Sequence, residues 1–260
     1  MEGASLIMKE VKTILISRTD NIGDVVLTLP LANVLKEKFR GCKVIFLGKT
    51  YTKPIIECCV NVDEILCWDE ISQLDKKKQI DLFRSLNADC IIHVFPNKQV
   101  AALAKGAGIP IRIGTSHRLF HWFTCNKLPN FTRKNSDLHE VQLNFKLLQP
   151  LGVESNYSLK DIDKFFGFRN IKPLSTDISS MIDRGRCNLI LHPKSKGSAL
   201  EWGIPNFSKL IGSLPKEKFK IFVTGTQQER EGLKDIFSYN PDVVDLAGKL
   251  SLPQLISFIN

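Results

Sequence analysis

Thr13-Ile14-Leu15-Ile16 is a short apolar run with no polar interruption, and it constrains the fold more than any other stretch. Such a run reads as a strand buried on both faces, the signature of a parallel sheet. After it, Leu31, Val34, Leu35 and Phe39 repeat at helical spacing, with Lys36, Glu37, Lys38 and Arg40 on the other side. The same alternation recurs along the chain. Residues 43–48, 63–68, 89–95 and 110–114 read as strands, and 54–59, 71–86 and 98–106 as helical. A second series has strands at 187–192, 220–225 and 243–246, with helices over 207–214, over 227–237 and from residue 252 onward. The alternation predicts an α/β fold of two domains with parallel sheets. The expected boundaries are a first domain over residues 1–155, a linker region of poor periodicity over 156–186, and a second domain over 187–260.

Between the first strand and its helix lies Ser17-Arg18-Thr19-Asp20-Asn21-Ile22-Gly23-Asp24, running on to Pro30. Ligands of open α/β sheets collect at such turns, beyond the carboxyl ends of the strands. Gly23 either adopts backbone angles closed to other residues or lets a ligand approach the main chain. Asp24 has two readings. It is a helix cap, or it is an ionised carboxylate at a cleft mouth that accepts a proton from a substrate hydroxyl. Asp20 and Asn21 read as turn and cap residues. Pro30 also leaves two options: a helix that starts at Gly23 must kink there, whereas a helix that starts near Pro30 leaves Asp24 in a longer loop.

A second polar turn follows the strand at 187–192. Lys194, Ser195, Lys196 and Ser198 place two cations and two hydroxyls around Gly197. That set suits either a diphosphate cradle or a plain solvated loop. It lacks the Gly-x-x-x-x-Gly-Lys-Ser/Thr spacing of a P-loop. No Gly-x-Gly-x-x-Gly follows any strand, which disfavours a dinucleotide-dependent oxidoreductase.

The net charge is +9, and Lys76-Lys77-Lys78 reads as a solvated helix face. The excess otherwise fits an acidic partner: a nucleotide diphosphate, a phosphorylated glycolipid or an anionic membrane surface. No nucleic-acid-binding signature is present, so nucleic acid is not expected as a partner. The seven cysteines are scattered without a Cys-x-x-Cys pair, which argues against a disulfide framework or a zinc site. No apolar run has the roughly 20 residues of a membrane span, and residues 1–12 do not form a signal peptide. These features read as a cytoplasmic protein. From Thr115 to Asn135 the periodicity dissolves. Leu119, Phe120, Trp122 and Phe123 stand among His117, Arg118, His121, Lys127, Arg133 and Lys134. That mixture suits a loop at an anionic lipid interface, or aromatics filling the core beneath a loop. Residues 138–148 then read as a helix with His139 at its start.

Arg18-Thr19-Asp20-Asn21-Ile22-Gly23-Asp24, followed by Leu27 and Pro30, resembles the opening signature of glycosyltransferase family 9, the ADP-heptose:lipopolysaccharide heptosyltransferases and their relatives. Leu246-Ala247-Gly248-Lys249-Leu250-Ser251-Leu252-Pro253-Gln254-Leu255 is similar to a late segment of that family. The resemblance implies a GT-B arrangement of two Rossmann-like domains facing across a cleft. It implies inverting transfer of a sugar from a nucleotide-sugar donor, ADP-heptose by analogy, to an anionic glycolipid acceptor. No other cofactor and no metal are expected, and there is no Asp-x-Asp pair. Asp24 maps onto the general base. Arg18, Thr19, Asn21 and Gly23 map to the acceptor side, and Lys194, Ser195, Lys196 and Ser198 to the donor diphosphate. Peripheral contact with the inner membrane surface is a further expectation. Leu200 and Gly203 depart from the pattern, where the family usually has a basic residue and a proline. An Asp-Ser/Thr-Gly-x-x-His stretch expected at the donor site is absent from these 260 residues. The second domain is therefore expected to be incomplete, and the alternative function is a truncated, non-catalytic homologue that binds an anionic glycan or nucleotide.

Overall fold

The computed structural model describes residues 11–134, 136–195 and 199–260. The chain divides into two compact units, Met1–Asn170 and Ile171–Asn260. The first unit alternates strands and helices: β1 (Thr13–Ser17), α1 (Ile22–Val26), α2 (Pro30–Lys38), β2 (Lys43–Gly48), α3 (Lys53–Ile56), β3 (Glu64–Cys67), α4 (Trp68–Ile71), α5 (Lys76–Ser85), β4 (Cys90–His93), α6 (Lys98–Gly106) and β5 (Ile111–Ile113). Then come α7 (Leu119–Thr124), α8 (Glu140–Lys146) and α9 (Leu159–Asp163). Its five strands are all parallel, in the order β3-β2-β1-β4-β5. The apolar runs explain this. Ile14 and Ile16 face one side of the sheet, packed on Leu29, Leu35 and Phe145, while Leu15 faces the other, packed with Ile45, Phe83 and Leu103. The three central strands β1, β2 and β4 are buried on both faces, so their alternate residues serve two different cores.

The strand order reverses beside β1. The chain winds outward through β2 and β3, then returns to place β4 on the other flank of β1. The loops after β1 and β4 must therefore diverge, and a crevice opens between them at the carboxyl edge. Ser17 pairs with His93 in the last register position of that junction. Arg18-Thr19-Asp20 and Val94-Phe95-Pro96-Asn97 follow immediately.

The second unit holds α10 (Thr176–Ser179), β6 (Cys187–Leu191), α11 (Ile204–Ser213), β7 (Phe219–Val223), α12 (Lys234–Tyr239), β8 (Val244–Asp245) and α13 (Leu252–Ile259). Its three parallel strands run β6-β7-β8. Leu191, Ile221 and Val223 pack on Ile211, Leu233 and Ile236, and Phe222 and Leu246 pack on Ile178 and Phe258. Both faces are covered, as the alternation predicts, and the sheet is smaller than the first. Both units are thus Rossmann-like α/β layers with parallel sheets.

Several expectations need correction. The helix expected after β1 is neither continuous nor delayed: α1 ends at Val26, a tight turn follows, and Pro30 opens α2. Pro30 has no N–H, so it cannot extend α1. Residues 71–86 are not one helix. Asp75 caps α5 by accepting from the Lys78 backbone N–H at 2.9 Å, which separates it from α4. Residues 115–135 contain a helix, α7. Residues 156–186 divide between the units rather than link them. Tyr157, Ile162 and Phe165 pack into the core of the first, and Leu174, Ile178 and Ile182 into that of the second. None of the seven cysteines is in a disulfide, and only Cys187 is exposed. No helix among the described residues is long and apolar enough to cross a membrane.

Candidate functional site

Arg18 leaves the end of β1 and is 5% exposed. A guanidinium buried this far needs charge partners, and three carboxylates supply them. Its Nε donates to Asp20 Oδ1 at 2.7 Å, its Nη2 is 2.6 Å from Asp24 Oδ1, and its Nη1 is 3.4 Å from Glu140 Oε1. Glu140, at the first position of α8, also accepts from Arg133. Arg133 Nη2 donates to Asn144 Oδ1 at 3.1 Å, and Asn144 Nδ2 donates to the Leu27 carbonyl at 2.9 Å. The Thr28 hydroxyl donates to the Asp24 carbonyl at 2.8 Å. These last two bonds satisfy carbonyls at the break between α1 and α2, where helical partners run out. Asp24 is thus fixed twice, through its carboxylate to Arg18 and through its backbone to Thr28.

Asp24 is not the cap. Asn21 holds that position and makes no side-chain cap bond, while Asp24 lies in the first turn of α1 and is about one-third exposed. Gly23 is helical rather than left-handed, so unusual backbone angles are not its purpose. A Cβ added there would meet nothing within 4 Å, so the space above it is open. Asn21 and Gly23 are both exposed. Thr19 is buried, and its hydroxyl accepts from Asn97 at 3.5 Å. Arg18 and Thr19 are therefore tied inside the protein, and direct contact of either with an acceptor's anionic groups is not what their burial offers. Burial pushes the Asp20 carboxyl above the usual range, with Arg18 opposing the shift. The Tyr51 hydroxyl donates to the Asp20 carbonyl.

A cleft of about 570 Å³ opens beside this cluster. It is lined by Arg18, Asp20 and Glu140, by Val94, Phe95 and Pro96 after β4, and by Thr115, His117, Arg118, Phe131, Thr132, Arg133 and Lys134. It therefore lies at the switch point between β1 and β4. Four Lys or Arg side chains face two carboxylates there, a balance that suits an anionic ligand. The sequence reading missed Glu140 and Asn144, which stand four residues apart on α8. Their spacing was visible, but Arg18 and Leu27, the partners that tie them to the turn after β1, lie more than a hundred residues away. His139, beside them, is an exposed N-cap.

In the second unit, Lys194 and Ser195 come together around Glu201. Lys194 Nζ is 2.7 Å from Glu201 Oε2, and the Ser195 backbone N–H donates to Oε1 at 3.0 Å. Those two bonds hold the Glu201 carboxyl below the usual range. The loop therefore grips an anion, and here the anion is its own side chain. Lys196 and Ser198 lie outside the described residues. His192 Nδ1 and Thr224 Oγ1 are 2.9 Å apart at the ends of β6 and β7. Among the described residues no group of three or more His, Cys, Asp or Glu could hold a metal ion.

The fold has close counterparts. A family 9 glycosyltransferase from Veillonella parvula superposes with a TM-score of 0.75 at 20% identity, over 97% of this chain and 73% of that one. Escherichia coli heptosyltransferase WaaC, solved with ADP-2-deoxy-2-fluoro heptose, gives 0.70 at 18%, over 94% and 78%. Escherichia coli ADP-heptose lipopolysaccharide heptosyltransferase II gives 0.68 at 16%, over 95% and 76%. At such identities the likeness shows the fold, the GT-B type. No curated protein matches the chain. The family model described as glycosyltransferase family 9 (heptosyltransferase) matches residues 80–260, most of the sequence, and the chain belongs to that family.

Proposed function

We propose that this protein moves heptose from ADP-heptose to an anionic acceptor of the lipopolysaccharide-core type, with inversion at the anomeric carbon. The observation that carries this reading is the Asp24 carboxylate, partly exposed and pinned by buried Arg18 beside a cationic cleft. With Oδ1 tied to Arg18, Oδ2 takes the proton from the acceptor hydroxyl as its oxygen attacks the anomeric carbon. The bond from that carbon to the diphosphate breaks, and the electron pair leaves with ADP. Asn21 and Gly23, exposed at the start of α1, meet the acceptor. Arg18 and Thr19 position the base from beneath. Lys194 and Ser195, with Lys196 and Ser198, stabilise the departing diphosphate. Support for an ADP-sugar comes from the family and from WaaC, whose structures carry ADP and an ADP-heptose analogue. On this reading the reaction takes place in the cytoplasm.

Glu201 favours a second reading, in which the protein binds nucleotide or glycan without transferring, because its carboxylate fills the seat a phosphate needs. One pair of measurements separates the two. Transfer from ADP-heptose, lost in Asp24→Asn, supports the first. ADP binding that Lys194→Ala weakens, without turnover in the unaltered protein, supports the second.

A further inference from the structure

Helix α7 presents Leu119, Trp122 and Phe123 to solvent, 77%, 62% and 68% exposed. Their spacing of three and four residues puts them on one helical face. The opposite face is fastened down. His121 is fully buried, and its Nδ1 meets the Thr115 carbonyl at 2.9 Å. Trp122 Nε1 donates to the Ser116 carbonyl at 2.8 Å. Lys105 Nζ and Arg112 Nε donate to the last carbonyls of the helix, at Phe123 and Thr124, at 2.9 and 2.7 Å. The helix is held in place from one side, so the exposure of three large apolar side chains is built in. Folding gains nothing from leaving them outside.

The charge around this face has one sign. Between Asp89 and Asp137 the chain has no acidic residue and seven Lys or Arg. Of these only Arg133 has a carboxylate partner among the described residues. Lys105, Arg118 and Lys127 are exposed, one bonded to α7, one capping it and one three residues beyond it. A second copy of this chain docking on the same face would set cations against cations. An anionic lipid surface offers the opposite charge, with an apolar layer just beneath to receive Trp122 and Phe123.

We propose that α7 is an interfacial anchor that seats the first unit on an anionic bilayer. Leu119, Trp122 and Phe123 enter the boundary between headgroups and acyl chains, and Lys105, Arg118 and Lys127 pair with lipid phosphates. Thr115, His117 and Arg118 line the cleft and lead directly into α7. Seating this helix sets the cleft mouth at headgroup level, where a membrane-embedded glycolipid presents its sugars.

The test is co-sedimentation of the full chain with vesicles that hold neither glycan nor nucleotide, so the result stands whatever the transfer assay gives. Binding is expected to vesicles of phosphatidylcholine with phosphatidylglycerol, to fall with added salt, and to be weak on phosphatidylcholine alone. Leu119→Ser with Phe123→Ser should lower the affinity about tenfold or more, with an unchanged melting temperature, since both side chains are exposed and neither fastens the helix. Arg118→Glu with Lys127→Glu should lower it on anionic vesicles only. No binding to anionic vesicles overturns the proposal, as does binding that the double serine variant retains. So does a concentration-dependent dimer abolished by the same serines, which would assign the face to a second copy.

Discussion

Arg18 Nη2 stands 2.6 Å from Asp24 Oδ1, and the guanidinium that makes this contact is almost wholly enclosed. The two residues are separated by a turn that would let Asp24 swing freely, and the ion pair removes that freedom. Exchanging Asp24 for asparagine keeps size and shape but removes the proton acceptor. Sugar transfer in Asp24→Asn should drop by about 10²–10⁴-fold, with the chain still folded by circular dichroism. Transfer at the unaltered rate would mean that another group takes the proton.

Arg18→Leu tests the other half of the pair. It strands Asp20 and Asp24 beside an apolar side chain and leaves Glu140 with Arg133 alone, and breaking a buried charge cluster in this way costs about 3–5 kcal/mol. Urea unfolding should reveal a lower midpoint with an unchanged slope. A loss below about 1 kcal/mol would place Arg18 among surface ion pairs, against its burial.

Glu201 competes for the seat formed by Lys194 and the Ser195 N–H. Removing it in Glu201→Ala should tighten ADP binding roughly two- to fivefold, the range expected when an exposed ion pair no longer has to be displaced. Lys194→Ala should weaken the same binding. Calorimetric titration with ADP reads both. If Glu201→Ala weakens binding, the carboxylate assists the nucleotide rather than opposing it.

How much of this was legible beforehand follows from the range of each interaction. β1 was readable because Ile14, Leu15 and Ile16 are local and uniformly apolar, and the turn at Gly23-Asp24 was readable because it follows directly. Glu140 was not, since nothing in its neighbours reveals a guanidinium 122 residues earlier. Helix α7 escaped because six residues are too few for the three- and four-residue spacing of Leu119, Trp122 and Phe123 to stand out as a helical period. Its fixed shape comes from carbonyls capped by Lys105 and Arg112 on other elements. Glu201 looked like loop charge until its two oxygens were seen on Lys194 and Ser195. Of the donor-side residues, Lys196 and Ser198 still rest on the sequence.

Asn144 holds the break between α1 and α2 together. It is fully buried, donates to the Leu27 carbonyl and accepts from Arg133. Asn144→Ala leaves both groups without that partner, at a cost of about 1–3 kcal/mol. Because Asp24 sits on α1, the same variant should lower transfer more than it lowers donor binding. Equal losses in both would show that α8 does not position the base.

His93 should make the protein acid-sensitive. It is fully buried under the switch point, neither ring nitrogen has a hydrogen-bond partner, and burial lowers its pKa to about 3. His121, whose ring centroid is 5.6 Å away, is lowered by burial as well. In the unfolded chain a histidine titrates near ~6.5. Above that pH both states are neutral at His93, and its contribution to stability is present in full. Below it the unfolded chain takes up a proton that the folded site refuses. Stability therefore falls as the pH drops from about 6.5 toward 3, by up to about 1.4 kcal/mol per unit. Asp20 works the other way, since its raised pKa lets the folded state accept a proton more readily near the carboxylate range. Unfolding free energies from urea titrations at neutral pH and at about pH 4.5 should differ by about 2–3 kcal/mol, and His93→Leu should remove most of that difference. Leucine is close in volume and carries no polar atoms, so the variant should be no less stable than the parent at neutral pH. An undiminished acid slope in His93→Leu would mean that His93 is not the group the unfolded chain protonates first.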